Sequence, residues 1–238
     1  MADQLNEVVG KLKDAHGENL KAVVLYGSGT ASVRGDEDRP KNLLVVLNRI
    51  APDDLQSAHP VAEWLRSHGD PVPIYFTSRE IDDSSDVFPM EFIDMSRARR
   101  VLFGPDPFER LEIPTYNLRH QLEYELRGKL LRLRTVYISV AANPDRLARL
   151  MSDSLESFAV LFRHALGLLG ADAPYDKREC VLKLAEVLNL DRAVFIRIFE
   201  YAADEDVWLE AETRLTFAGY LIEIERVIQA VDELPGER

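Results

Sequence analysis

The residues best suited to chemistry are Gly27 and Ser28, set directly after a valine-rich apolar run at residues 20–26. A Gly-Ser turn at the end of a strand offers backbone N–H groups and a hydroxyl at close approach, a nest that suits a triphosphate. Gly27-Ser28-Gly29 can equally be a tight turn and nothing more, because so short a motif carries little information. The polar stretch that follows holds an acid-x-acid step, Asp36-Glu37-Asp38. Charge runs of this kind are also common as solvated loops. Further along, Glu91 and Asp94 each read as an exposed or structural residue.

Other constellations are thin. His16, His59, His68, His120 and His164 are scattered, with no pair at the i, i+4 spacing of a helical metal site. Cys180 is the only cysteine, so an internal disulfide or a Cys/His zinc site is excluded. It falls in a helical pattern and is expected to be a small buried hydrophobe. Arg127, Lys129, Arg132 and Arg134 make one stretch locally basic. They could meet phosphates or form a solvated face paired with Glu123 and Glu125. No GxSxG, Walker or Rossmann motif is present.

The elements that must position these residues follow from periodicity. Residues 3–16 place Leu5, Val8, Val9 and Leu12 at helical spacing. The apolar runs 20–26 and 42–47 predict two buried strands, with a loop of Gly, Ser, Asp, Arg and Pro over 29–41. Pro52 predicts a helix start, with Asp53 and Asp54 in its first turn and Gly69 at its end. Residues 72–77 predict a third strand, and Thr77 with Glu80 has capping-box spacing for a short helix. Short strands are expected around 91–95 and 100–103.

Gly104-Pro105-Asp106-Pro107 is the strongest punctuation in the chain. Beyond it the pattern is helical throughout. Leu118, Leu122, Leu126, Leu130 and Leu133 mark one long helix, Asn143 caps the next, two shorter helices are expected over 176–188 and 191–202, and a final helix over about 205–233. Five helices on short loops predict an antiparallel bundle. The expected fold is therefore an α/β domain of mixed sheet and flanking helices over 1–104, followed by an all-α bundle over 105–238. No internal repeat or low-complexity segment is found.

Composition narrows the function classes. The chain has 238 residues, 46% hydrophobic and 29% charged, with a net charge of −12. The charge is shared between residues 1–104 and 105–238, with no basic half. Such a surface repels phosphodiester backbones, which argues against broad nucleic-acid binding. No apolar run approaches the length of a membrane span, and the first residues lack the apolar core of a signal peptide. The cytosol is the expected compartment.

The order helix, strand, Gly-Ser, loop, strand, then helical domain resembles the nucleotidyltransferase superfamily of DNA polymerase beta. It is most similar to small bacterial members, such as the aminoglycoside (kanamycin) nucleotidyltransferases and the minimal nucleotidyltransferases with a helical partner domain. The residues that carry the likeness are Leu25-Tyr26-Gly27-Ser28 and Leu43-Leu44-Val45-Val46. The phrases at 86–92 and 125–131 also resemble those of bacterial nucleotidyltransferase-like proteins. The resemblance implies two acids at the start of the second strand, one residue apart and aimed the same way, which hold Mg2+ against a triphosphate. A third acid is implied on a neighbouring strand, for which Glu91 or Asp94 would stand.

By register against Leu43–Val46, the first two acid positions fall on Pro40 and Asn42. Proline has no ligand atom, and an asparagine oxygen is a poor substitute for a carboxylate on a hard dication. Three expectations follow. The first is a nucleotidyltransferase-fold protein with little or no catalysis, binding a nucleotide or a partner in the cleft between its domains through Gly27, Ser28 and Asn42. The second is an active Mg2+-dependent enzyme, with Asp36 and Asp38, joined by Glu91 or Asp94, as the metal ligands, moving a nucleoside monophosphate from a triphosphate to a small-molecule or protein hydroxyl. The third is a structural or oligomeric protein, such as a homodimer through the bundle. Helical ribonuclease domains that accompany nucleotidyltransferases carry an Arg followed a few residues later by a His. Here Arg119-His120 and Arg163-His164 are adjacent, which counts against ribonuclease activity.

Overall fold

The computed structural model describes residues 2–30, 41–204 and 210–234. The chain divides into two compact units, Met1–Pro114 and Thr115–Arg238.

The first unit is built on a four-stranded sheet of β1 (Leu20–Tyr26), β2 (Asn42–Leu47), β3 (Ile74–Thr77) and β4 (Arg99–Phe103), in the order β3-β2-β1-β4. β1 runs antiparallel to β2 and β4, and β2 runs parallel to β3. Alternate residues of the two central strands face opposite layers. Leu43, Val45 and Leu47 join Leu5, Val8 and Leu12 of α1 (Ala2–His16) and Val61 and Leu65 of α3 (His59–Ser67). Leu44 and Val46 face the other way, against Ile81 of α4 (Ser78–Asp83) and Phe92 and Met95 of α5 (Pro89–Arg97). Phe108 is buried in that second layer, so the first unit continues past the Gly104–Pro107 punctuation.

Three expected elements differ. The single helix over 52–69 is divided into α2 (Pro52–Ser57) and α3, because Pro60 lacks an N–H and its ring cannot follow residue 56 in a continuous helix. β3 starts at Ile74 rather than 72, since Pro73 has no donor for the ladder. The expected strand at 91–95 is helix α5. Pro89 occupies its first turn, Glu91 sits where the dipole favours an acid, and Phe92 and Met95 repeat at helical spacing on its buried side. The Thr77/Glu80 capping box forms as expected, with Thr77 N–H donating to Glu80 at 2.7 Å and Glu80 N–H to the Thr77 hydroxyl at 3.1 Å.

The second unit contains α6 (Thr115–Val140), α7 (Pro144–Leu168), α8 (Lys177–Val187), α9 (Arg192–Asp204) and α10 (Glu210–Asp232). Asn143 caps α7 by accepting from Arg146 N–H at 2.9 Å. The leucine stripe of α6 is buried, and Phe158, Phe162, Phe195 and Tyr220 meet edge-to-face or tilted in the core. Cys180 is buried here, and burial pushes its thiol up to about 11. Among the described residues no helix is long and apolar enough to cross a membrane.

Candidate functional site at the end of the central strands

β1 delivers Tyr26 and then Gly27 to one end of the sheet. Tyr26 lies directly opposite Asn42 of β2 on one side and Arg99 of β4 on the other. Opposed residues point to the same face of a sheet, so the three form a row across it. Gly27 turns the chain with φ +76°, a left-handed conformation that glycine adopts at little cost. A Cβ at Gly27 would lie 3.4 Å from Asn42 Nδ2, which places the asparagine amide against the turn. The 3₁₀ turn Gly27–Thr30 is tied at both sides of the glycine. Gly27 N–H donates to Ala98 C=O at 2.8 Å, and the Thr30 hydroxyl donates to Gly27 C=O at 2.8 Å. The Gly27 N–H is thus already engaged within the fold.

The neighbouring charges are also engaged. Arg99 Nε donates to both oxygens of Asp106, at 3.1 and 2.8 Å, and Arg99 Nη1 bonds Ser96 C=O. Asp106 also accepts from Phe108 N–H at 2.9 Å. Burial works against the Asp106 charge, but the bonds from Arg99 and Phe108 outweigh it and hold the carboxyl below its usual range. Burial pushes the Tyr26 phenol up. Beside Asn42, and facing the opposite layer, Lys41 is buried with Asp70. Its N–H donates to Asp70 Oδ1 at 3.0 Å and its ammonium lies 3.4 Å from both oxygens, while Gln4 Nε2 donates to Oδ2 at 3.3 Å.

Of the residues singled out in the sequence, Gly27, Ser28 and Asn42 come together at this end of the sheet. Asp36, Asp38 and Pro40 lie outside the described residues. Glu91 and Asp94 come from α5 rather than from a strand, although α5 packs beside β1 and the turn. Among the described residues no three His, Cys, Asp or Glu side chains converge as a metal would need, and Asn42 brings a neutral amide. The described residues therefore do not fit a divalent cation.

Sequence reasoning missed both ion pairs. A lone lysine just ahead of the apolar run 43–47 was a usable signal, because a buried ammonium requires a carboxylate. Nothing local pointed to Asp70 as that partner. A cavity of ≈ 260 Å³ in the first unit is bordered by Lys21, Val46, Ser78 and Asp82. Ala22, which also lines it, stands five residues before Gly27, about 17 Å along the strand. Asp106, the partner of Arg99, also borders this cavity, but no residue of the Gly27–Thr30 turn does.

No protein-family model matches the chain, and no curated protein matches it. Among solved structures it is similar to spectinomycin adenyltransferase AAD(9) from Enterococcus faecialis, crystallised with ATP and spectinomycin. That likeness has a TM-score of 0.56 at 15% identity and covers 98% of this chain and 100% of that one. The chain has a nucleotidyltransferase-like fold. Here the head of β2 presents Asn42 and a buried lysine.

Proposed function

We propose that the protein binds a nucleotide at the Gly27-Ser28 turn on a nucleotidyltransferase-like scaffold with little or no catalysis. The observation that carries this reading is Asn42. It occupies the second acid position by register, its amide lies against Gly27, and it is neutral. A carboxylate there would need a cation to approach a triphosphate, whereas an amide can donate to a phosphate oxygen directly. With the Gly27 N–H given to Ala98, the remaining backbone donors of a phosphate cradle are those that follow it in the turn.

Titration with ATP, with and without Mg2+, tests the reading. ATP at a hundredfold excess over its Kd should stabilise the protein by about 2.7 kcal/mol, equally in EDTA and in Mg2+. Binding that requires Mg2+ overturns it. Pro40→Asp/Asn42→Asp should convert the site to Mg2+-dependent binding.

The second reading is an active enzyme, favoured by the acid-x-acid step Asp36-Glu37-Asp38 in the same loop. Transfer of labelled nucleoside monophosphate that disappears in Asp36→Ala and in Asp38→Ala would establish it in place of the first.

A further inference from the structure

The basic stretch of α6 divides into two sets. Arg119, Arg127 and Arg134 are matched: Arg119 and Arg127 pair with Glu123 and Asp232, and Arg134 pairs with Glu225. Lys129 and Arg132 make no ion pair among the described residues, and both turn to the other flank of the helix. There they wall a cavity of ≈ 380 Å³ in the groove between α6 and α7. Pockets of about 300–1,000 Å³ hold small organic ligands.

The facing wall comes from α7. Ser154 and Ser157 present hydroxyls to the cavity, and Phe158 with Leu133 of α6 makes an apolar floor. The hydroxyls have local acceptors: Ser154 Oγ donates to Met151 C=O at 3.0 Å and Ser157 Oγ to Ser154 C=O at 2.8 Å. Ser154 Oγ also lies 3.1 Å from the hydroxyl of the buried Tyr220, which anchors that wall. Each serine oxygen keeps acceptor capacity and can rotate its proton toward a ligand. Asp153 borders the same cavity as its single carboxylate.

We infer that this groove binds a small phosphomonoester with a compact apolar body. Two unmatched cations next to two hydroxyls suit a group with three anionic oxygens, which a guanidinium fork and an ammonium can share. The apolar floor asks for a hydrophobic body of limited size. Asp153 opposes a second anionic group, which selects one phosphate over a polyphosphate or a nucleic-acid strand. The site lies wholly in the helical unit and uses no residue of the Gly27 turn, so it goes beyond the nucleotide reading.

Phenyl phosphate, titrated calorimetrically into the full chain in EDTA, is the probe, with phenol and benzoate as comparison ligands. Phenyl phosphate should bind, benzoate should bind more weakly and phenol not at all. Lys129→Met/Arg132→Met should weaken phenyl phosphate at least tenfold, and Lys177→Met/Lys183→Met, with the same charge loss on α8, should leave it unchanged. Ser157→Leu, which fills the groove without touching a charge, should also abolish binding and covers the case in which the double variant fails to fold. No binding of phenyl phosphate at millimolar concentration overturns the inference. Equal weakening in the α8 control, equal binding of benzoate, or full binding by Ser157→Leu would do the same. ATP binding at the turn is measured separately and stands or falls independently.

Discussion

At the scale of single residues, the head of β2 shows how two adjacent side chains are governed by opposite faces of one strand. Asn42 points toward the layer that holds Tyr26 and Arg99, and Lys41 is drawn into the other layer by Asp70. Taking an ammonium and a carboxylate out of water costs several kcal/mol each, and their mutual attraction repays it only while both partners remain. Asp70 also receives the Lys41 N–H and the Gln4 amide, so removing it would strand three donors at once. Asp70→Ala should therefore destabilise the protein by about 3–5 kcal/mol in urea unfolding. Lys41→Met/Asp70→Leu should recover much of that loss, because it leaves no unpaired charge behind. A single variant as stable as wild type would show that the pair is not buried in solution.

At the scale of elements, β4 returns beside β1 through a point with no spare volume. Gly104 ends β4 with φ +76°, and a Cβ there would stand 2.0 Å from Lys21 C=O. Gly104→Ala thus combines a left-handed backbone with a clash against the neighbouring strand, and should cost at least about 2 kcal/mol in chemical denaturation. Gly10→Ala, in the interior of α1 with open space around it, should be neutral or stabilising. The strands β1 and β2 and the helices of the second unit were legible in the sequence because long apolar periods leave few alternatives. Residues 89–97 were misread because a short apolar run fits either period, and the deciding signal, Pro89 followed by an acid, is a helix start. The turn and Asn42 could be brought together from register alone. Asp70 and Asp106 could not, because their roles depend on packing rather than on local pattern.

At the scale of the whole molecule, each unit has its own core, and the acid-sensitive groups with resolved shifts lie in the first. His16 is buried, with Nε2 3.3 Å from the Tyr75 hydroxyl and Nδ1 without a hydrogen-bond partner. Burial lowers its pKa below 6.5, outweighing the nearby charge of Asp54. The unfolded chain therefore takes up this proton first, so the stability that depends on a neutral His16 is present above pH 6.5 and is lost as pH falls below it. Asp106, with its pKa depressed, adds a loss only below its ordinary 3.8. Between pH 6.5 and 5 the first unit should lose stability through His16. Trp64 lies on α3 in that unit, and Trp208→Phe leaves it as the sole tryptophan of the two. Its fluorescence should report a melting midpoint that falls from pH 6.5 to 5, while helical circular dichroism retains a second transition from the bundle. His16→Leu should flatten the Trp64 midpoint over that range. A midpoint already flat in the parent chain would mean that His16 is protonated equally in both states, and that the histidine is hydrated rather than held in the core.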